Sequence, residues 1–219
     1  MTTRRLADSN DQLPQIIPVF PLSGALLLPR GRMPLNVFEP RYLAMVDTAL
    51  AGDRIIGIIQ PNGDASDSLV PPLRSVGCAG RVSSFSETED GRYIITLIGI
   101  CRFSVLEEIE TPTSFRLCKV TAEPFSGDFF VSGENDVDRE GLLEAFHAYL
   151  EASDLEADWD NVENASNESL VNAMAMIAPY GPVEKQALLE AQDLKTRAET
   201  LVALTEIALV HEASGRRLQ

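Results

Sequence analysis

From residue 16 to about residue 123, apolar residues fall in short runs of branched and aromatic side chains, each broken by proline, glycine or a polar cluster. Residues 16–20, 25–28, 35–38, 55–60, 76–86, 92–105 and 115–123 have the length and composition of strands. Between two of them, Glu89-Asp90-Gly91 predicts a hairpin, in which Asp-Gly supplies the positive φ of a type I′ turn. In the strand that follows, Tyr93, Ile95, Leu97 and Cys101 alternate with Ile94, Thr96, Ile98 and Ile100. Both sets are mostly apolar, so this strand is expected to be buried on two sides, as in a curled sheet or small barrel.

One helix interrupts the strands. Pro40 suits a first helical position, Tyr42, Leu43, Val46, Ala49 and Leu50 recur at helical spacing, and Gly52 is a stop. After residue 136 the period becomes helical throughout. Asp136 is expected to cap a helix carrying Leu142, Leu143, Phe146, Tyr149 and Leu150 on one stripe. A second helix runs over residues 170–178 to the stop Pro179-Tyr180-Gly181, Pro182 starts a third, and Asp193 caps a long last one. The change of period divides the chain into residues 1–123 and 124–219, with a boundary segment 124–135 in which Phe129-Phe130-Val131 is the apolar cluster.

Charge sharpens that division. Residues 1–125 hold 12 lysines and arginines against 14 acids, and residues 126–219 hold six against 19, so −13 of the net −15 belongs to the second part. Such a surface repels phosphate, which disfavours nucleic-acid binding there. No apolar stretch approaches the ~20 residues of a membrane span, and the N-terminus has no apolar signal core, so a cytoplasmic location is expected. Cys78, Cys101 and Cys118 each fall inside a strand-like run and read as buried thiols of a reducing compartment rather than metal ligands. No cofactor is implied.

Catalytic signatures are missing. There is no G-x-x-x-x-G-K-[ST] phosphate loop and no G-x-S-x-G elbow, and the three lysines, Lys119, Lys185 and Lys195, do not form a serine–lysine pair by sequence. Asp154-x-Glu156-x-Asp158-x-Asp160 has the acidic spacing of a calcium loop, but Trp159 stands where that loop needs glycine and Ala165 where it needs glutamate. A solvated acidic loop is expected instead, with Trp159 covering an edge of the helices.

The segment Pro21-Leu22, Pro29, Pro34-Leu35 and Phe38-Glu39-Pro40-Arg41-Tyr42 resembles the opening motif of the Lon protease N-terminal domain family. Val76-Gly77-Cys78-Ala79-Gly80-Arg81-Val82 is similar to a second patch of that family, and Asp90-Gly91-Arg92 with Gly99-Ile100-Cys101-Arg102-Phe103 to a third. The helical half also looks like that of short, stand-alone members, so the resemblance covers roughly residues 16–212. It implies an α+β fold, a PUA-like β-barrel followed by an α-helical bundle with a long C-terminal helix. It further implies a non-catalytic module that binds unfolded or damaged polypeptide, or docks on a protease or chaperone partner. Any peptidase label would then express kinship rather than chemistry. RNA binding through the PUA-like barrel, or a small ligand inside it, are the alternatives, and neither a basic stripe nor an aromatic cage supports them.

Phe129, Phe130 and Val131 are the candidate polypeptide contacts, with wedging of barrel against bundle as their structural alternative. The motif residues Pro21, Leu22, Pro34, Leu35, Phe38, Glu39, Pro40, Arg41, Tyr42, Arg102 and Phe103 are expected to serve structure. Glu39 would complement the helix dipole and Arg41 would bridge helix and sheet.

Overall fold

The computed structural model describes residues 13–63, 71–152 and 158–216, without the side chains of residues 160 and 211–216. The chain divides into two compact units between Val131 and Ser132.

In the first unit six strands, β1 (Ile16–Pro21), β2 (Arg32–Val37), β3 (Ile55–Pro61), β4 (Leu73–Glu87), β5 (Tyr93–Ile109) and β6 (Arg116–Thr121), form one sheet in the order β2-β5-β4-β3-β1-β6. A further pairing of β5 with β6 closes β5-β4-β3-β1-β6 into a barrel and leaves β2 outside it. All pairings are antiparallel except β1 with β3. The fold is α+β, as expected.

Phe103 fills the barrel and is fully buried with Ile17, Val19, Ile55, Ile59, Cys118 and Val120. Two glycines make room for it, because a Cβ on Gly77 would lie 2.5 Å, and one on Gly57 2.9 Å, from the Phe103 ring. Residues 25–28, buried from Leu26 to Leu28, are irregular, not a strand. The reason is a close crossing: Gly99 exchanges backbone bonds with Arg30 and Gly31, and a Cβ there would lie 2.0 Å from the Leu28 carbonyl oxygen. Leu26, Leu27 and Leu28 therefore cover the barrel instead of extending its sheet.

The helix α1 (Pro40–Ala51) starts and stops as its sequence dictates. The β4–β5 turn differs from the expected type I′. Among its residues only Gly91 has positive φ, with Gly91 N–H donating to the Thr88 carbonyl and Arg92 N–H to Thr88 Oγ1, so a type I turn closed by a left-handed glycine joins the strands.

The second unit contains α2 (Arg139–Ala152), α3 (Trp159–Asn164), α4 (Asn167–Ile177), α5 (Pro182–Glu190) and α6 (Leu194–Arg216), with α6 packed along α2, α4 and α5. Asp138, not Asp136, caps α2, accepting from the Gly141 N–H at 3.1 Å; Asp136 lies in a preceding 3₁₀ turn, Glu134–Asp136. Asp193 caps α6 through Thr196 N–H at 2.8 Å, in line with the sequence. Carbonyl ends of three helices are met by cations from another helix: Arg139 reaches Val162, Glu163 and Ala165, Lys185 reaches Ala175 and Met176, and Arg197 reaches Leu188. At the opposite polarity, Glu134 accepts from the first N–H groups of α4, Asn167 and Glu168.

Candidate functional site

A 3₁₀ segment, Glu123–Phe129, follows β6 and lies against β5. What holds it there is a buried ion pair. Arg102 donates from Nε and Nη2 to the two Asp128 oxygens at 2.8 and 2.7 Å and from its backbone N–H to the same carboxylate, while its guanidinium stacks 4.7 Å from the Phe125 ring centre. Arg30 Nη1 donates to the Asp128 carbonyl at 2.5 Å. This latch fixes the position of the next residue, Phe129.

Phe129, Leu13, Leu106 and Val120 give the apolar walls of an open groove of about 500 Å³, and Gln15, Lys119, Thr121, Glu123 and Ser126 its polar lining. Leu106 is there because β5 bulges. Val105 pairs with Val120 and Glu107 with Lys119, so Leu106 is the extra residue, 59% exposed and aimed into the groove. A smaller hollow of about 30 Å³ adjoins it, sharing Leu13 and Phe129 and adding Ile55, Ile100, Asp53 and Arg81.

From Arg81 the surface continues onto the sheet outside the barrel. The first half of β5 runs past the closure point between β2 and β4, so only one of its faces is covered. Ile95 and Leu97 are fully buried, whereas Ile94 and Ile98 are 48% and 38% exposed. This corrects the expectation of a strand buried on both sides, which holds only from Cys101 to Phe103. β2 is an edge strand, and Pro34 within it has no N–H to offer another chain.

Of the candidate contacts, Phe129 lines both hollows, whereas Phe130 and Val131 are exposed outside them. Most of the motif residues make contacts within the barrel unit. Leu22 N–H donates to the Ile59 carbonyl, Tyr42 stacks on Phe20 with ring centres 4.2 Å apart, Phe103 is the core and Arg102 the latch. Pro40 opens α1, Pro21 ends β1, and Leu35 lies on β2 beside Pro34. Phe38 stands apart from them at 63% exposure. Glu39 precedes α1 without a side-chain cap, and Arg41 turns back to it at 2.8 Å and onto the Tyr42 ring rather than bridging to the sheet.

Sequence reasoning missed Leu13, Leu106, Arg81 and Asp128. Only Leu106 left a signal, since Val105-Leu106 breaks the strand alternation where the bulge occurs.

Burial pushes the Cys101 thiol up to about 12 and the Cys118 thiol up to about 11, which keeps both protonated and unreactive. Asp154 and Glu156 of the acidic run lie outside the described residues. Asp158 caps α3 rather than lying in a loop, and Trp159 stacks on His147 at 5.2 Å between ring centres.

Residues 16–206 match the family model of the ATP-dependent protease La (LON) substrate-binding domain, and the chain belongs to this family. It is 25% identical over 204 residues to Lon protease 2 of Myxococcus xanthus, which covers 90% of this chain and 24% of that protein. It is 24% identical over 198 residues to the Lon protease of Desulfosudis oleivorans, covering 86% and 23%. The chain thus spans about a quarter of the length of these curated relatives. Two solved structures share the fold. A Lon N-terminal domain protein from Xanthomonas campestris has TM-score 0.60 at 23% identity over 86% of this chain and 97% of that one. The N terminal domain of the Mycobacterium avium complex Lon protease has TM-score 0.62 at 17% identity over 87% and 98%.

Proposed function

We propose that this chain, as a Lon substrate-binding domain, takes hold of extended, unfolded polypeptide in the groove beside Phe129 and performs no chemistry on it. One observation carries the reading: the groove combines apolar walls at Leu13, Leu106, Val120 and Phe129 with uncharged hydrogen-bonding groups at Gln15, Thr121 and Ser126 and one charge of each sign, at Lys119 and Glu123. An unfolded chain presents that same mixture, apolar side chains on a backbone of amides. The bulge at Leu106 and the latch behind Phe129 support it further, because they present two apolar side chains from rigid elements. The buried, protonated thiols are consistent with a module without a nucleophile. Such a module would work in the cytoplasm beside a protease or chaperone that does the chemistry.

Fluorescence anisotropy with a labelled, permanently unfolded polypeptide tests this. Saturable binding that survives moderate salt is expected, and replacing both Phe129 and Leu106 by alanine should weaken it by about tenfold or more, since each removes a partly buried apolar contact worth ~1 kcal/mol. Equal binding by the double variant would place the contact elsewhere, and a labelled single-stranded RNA bound in preference would sink the reading.

A further inference from the structure

On three neighbouring strands, Arg32 of β2, Ile98 of β5 and Arg81 of β4 stand directly opposite one another in register, so their side chains share one face. All three are exposed. Two strand spacings separate the arginine backbones by roughly 10 Å, with Ile98 between them.

Four other cations of the barrel unit are paired with acids. Arg41, Arg92, Arg102 and Arg116 each meet a carboxylate, on Glu39, Asp90, Asp128 and Glu108. Among the described residues, no carboxylate or carbonyl meets the guanidinium of Arg32 or of Arg81. Asp53 lines the small hollow with Arg81, yet no ion pair joins them there. Two unneutralised charges about a Debye length apart, flanking an exposed isoleucine, make a local positive potential over an apolar strip.

The strip leads into the groove, because Arg81 is also a wall of the hollow that shares Leu13 and Phe129 with it. We propose that the polypeptide bound in this groove continues over Ile98 and is selected for carboxylates flanking an apolar residue, which Arg32 and Arg81 engage. This rests on the reading of the groove as a polypeptide site and adds a sequence preference to it. Extended chain covers the distance between the arginines in about three residues. Guanidinium groups suit the task because their planar forks pair carboxylates in two-point geometry, and an uncharged or basic segment leaves them unpaired. Selection works through repulsion as well, since a lysine placed over the same strip meets two like charges.

Three labelled peptides with one apolar sequence, flanked by aspartate, asparagine or lysine, are titrated against the full chain by anisotropy at low and moderate salt. The aspartate peptide is expected to bind tightest and the lysine peptide weakest, by up to about fivefold per ion pair, with the gap closing as salt rises. Arg32→Gln and Arg81→Gln should each remove part of the aspartate peptide's advantage over the asparagine peptide. Arg32→Glu with Arg81→Glu should reverse the order, and Asp53→Asn should tighten the aspartate peptide. Circular dichroism confirms that each variant is folded. If the three peptides bind alike, or if the preference persists in the doubly reversed variant, the proposal is overturned while polypeptide binding stands. If neither the peptides nor an unfolded protein binds, the underlying reading fails with it.

Discussion

The helical unit buries cations, while the barrel unit leaves two of them bare on an apolar strip. In the former, Arg139, Lys185 and Arg197 donate into the carbonyl ends of α3, α4 and α5, with Lys185 and Arg197 buried and Arg139 half-buried. In the latter, one arginine is buried against Asp128 and others pair at the surface, while Arg32 and Arg81 flank Ile98 without an acid. The difference follows from backbone chemistry. A helix ends in four unpaired carbonyls that a cation can answer, whereas a closed barrel pairs its own backbone and needs few such caps. The barrel unit therefore keeps Arg32 and Arg81 for the recognition proposed above, while cations of the helical unit serve its assembly.

The largest test of that contrast breaks the one cation that, among the described residues, the barrel unit buries. Arg102→Ala should destabilise the barrel unit by about 3–5 kcal/mol, because it leaves the Asp128 carboxylate buried and alone. Chemical denaturation checks it. Replacing Arg102 and Asp128 together by Met and Leu should recover most of the loss if the pair serves position rather than stability. Groove binding would then report whether Phe129 stays in place.

Next in size is the packing of the barrel itself. Gly77→Ala should cost about 1–3 kcal/mol by driving a methyl into Phe103, and Phe103→Leu in the same chain should relieve part of that cost, a coupling that a double-mutant cycle measures. Among the described residues no glycine plays this part in the helical unit, where α6 packs by its stripe of Leu194, Ala198 and Leu201.

Alkaline pH should separate the units further. Burial raises the Cys101 and Cys118 thiols from an ordinary value of 9.0 to about 12 and about 11. Groups raised in the folded state contribute fully below their unfolded values and lose that contribution as pH climbs through the folded ones, so the barrel weakens from about pH 9 upward. Tyr42, also raised by burial, adds to this above pH 10. Lys185 has the opposite sign: burial lowers it from 10.5 to about 8, so the folded helical unit holds fewer protons than the unfolded chain between those values and gains stability as pH rises across them. Tyr180, raised by burial, counters that gain above pH 10. Urea midpoints between pH 8 and 10, read separately through Trp159 of the helical unit and through the barrel's hydrogen exchange, should diverge.

The smallest effect is expected at the surface pair of the motif. Arg41→Ala should change stability by no more than about 1 kcal/mol, because both Arg41 and Glu39 are half exposed. Thermal melts will show this. Tyr42→Ala, which empties a buried stack against Phe20, should cost several times more.

Much of this molecule follows from local pattern alone. Alternation and run length marked all six strands of the sheet, Pro40 and Gly52 bounded α1, and Pro182 and Asp193 opened α5 and α6, because these choices depend on neighbours within a few residues. The ordered prolines, glycines and aromatics of residues 17–50 were enough to indicate the family. Other features needed the tertiary structure. Residues 25–28 look like a strand by composition, and only the crossing at Gly99 makes them a cover. Asp128 reads as one acid in a polar linker until Arg102, 26 residues earlier, is brought to it. The exposed half of β5, the bulged Leu106 and the row Arg32–Ile98–Arg81 all depend on strand register and on where the barrel closes. Register and closure are set by contacts between residues far apart in the chain, so local periodicity, which establishes that a strand exists, carries no information about which face of it the protein will leave open.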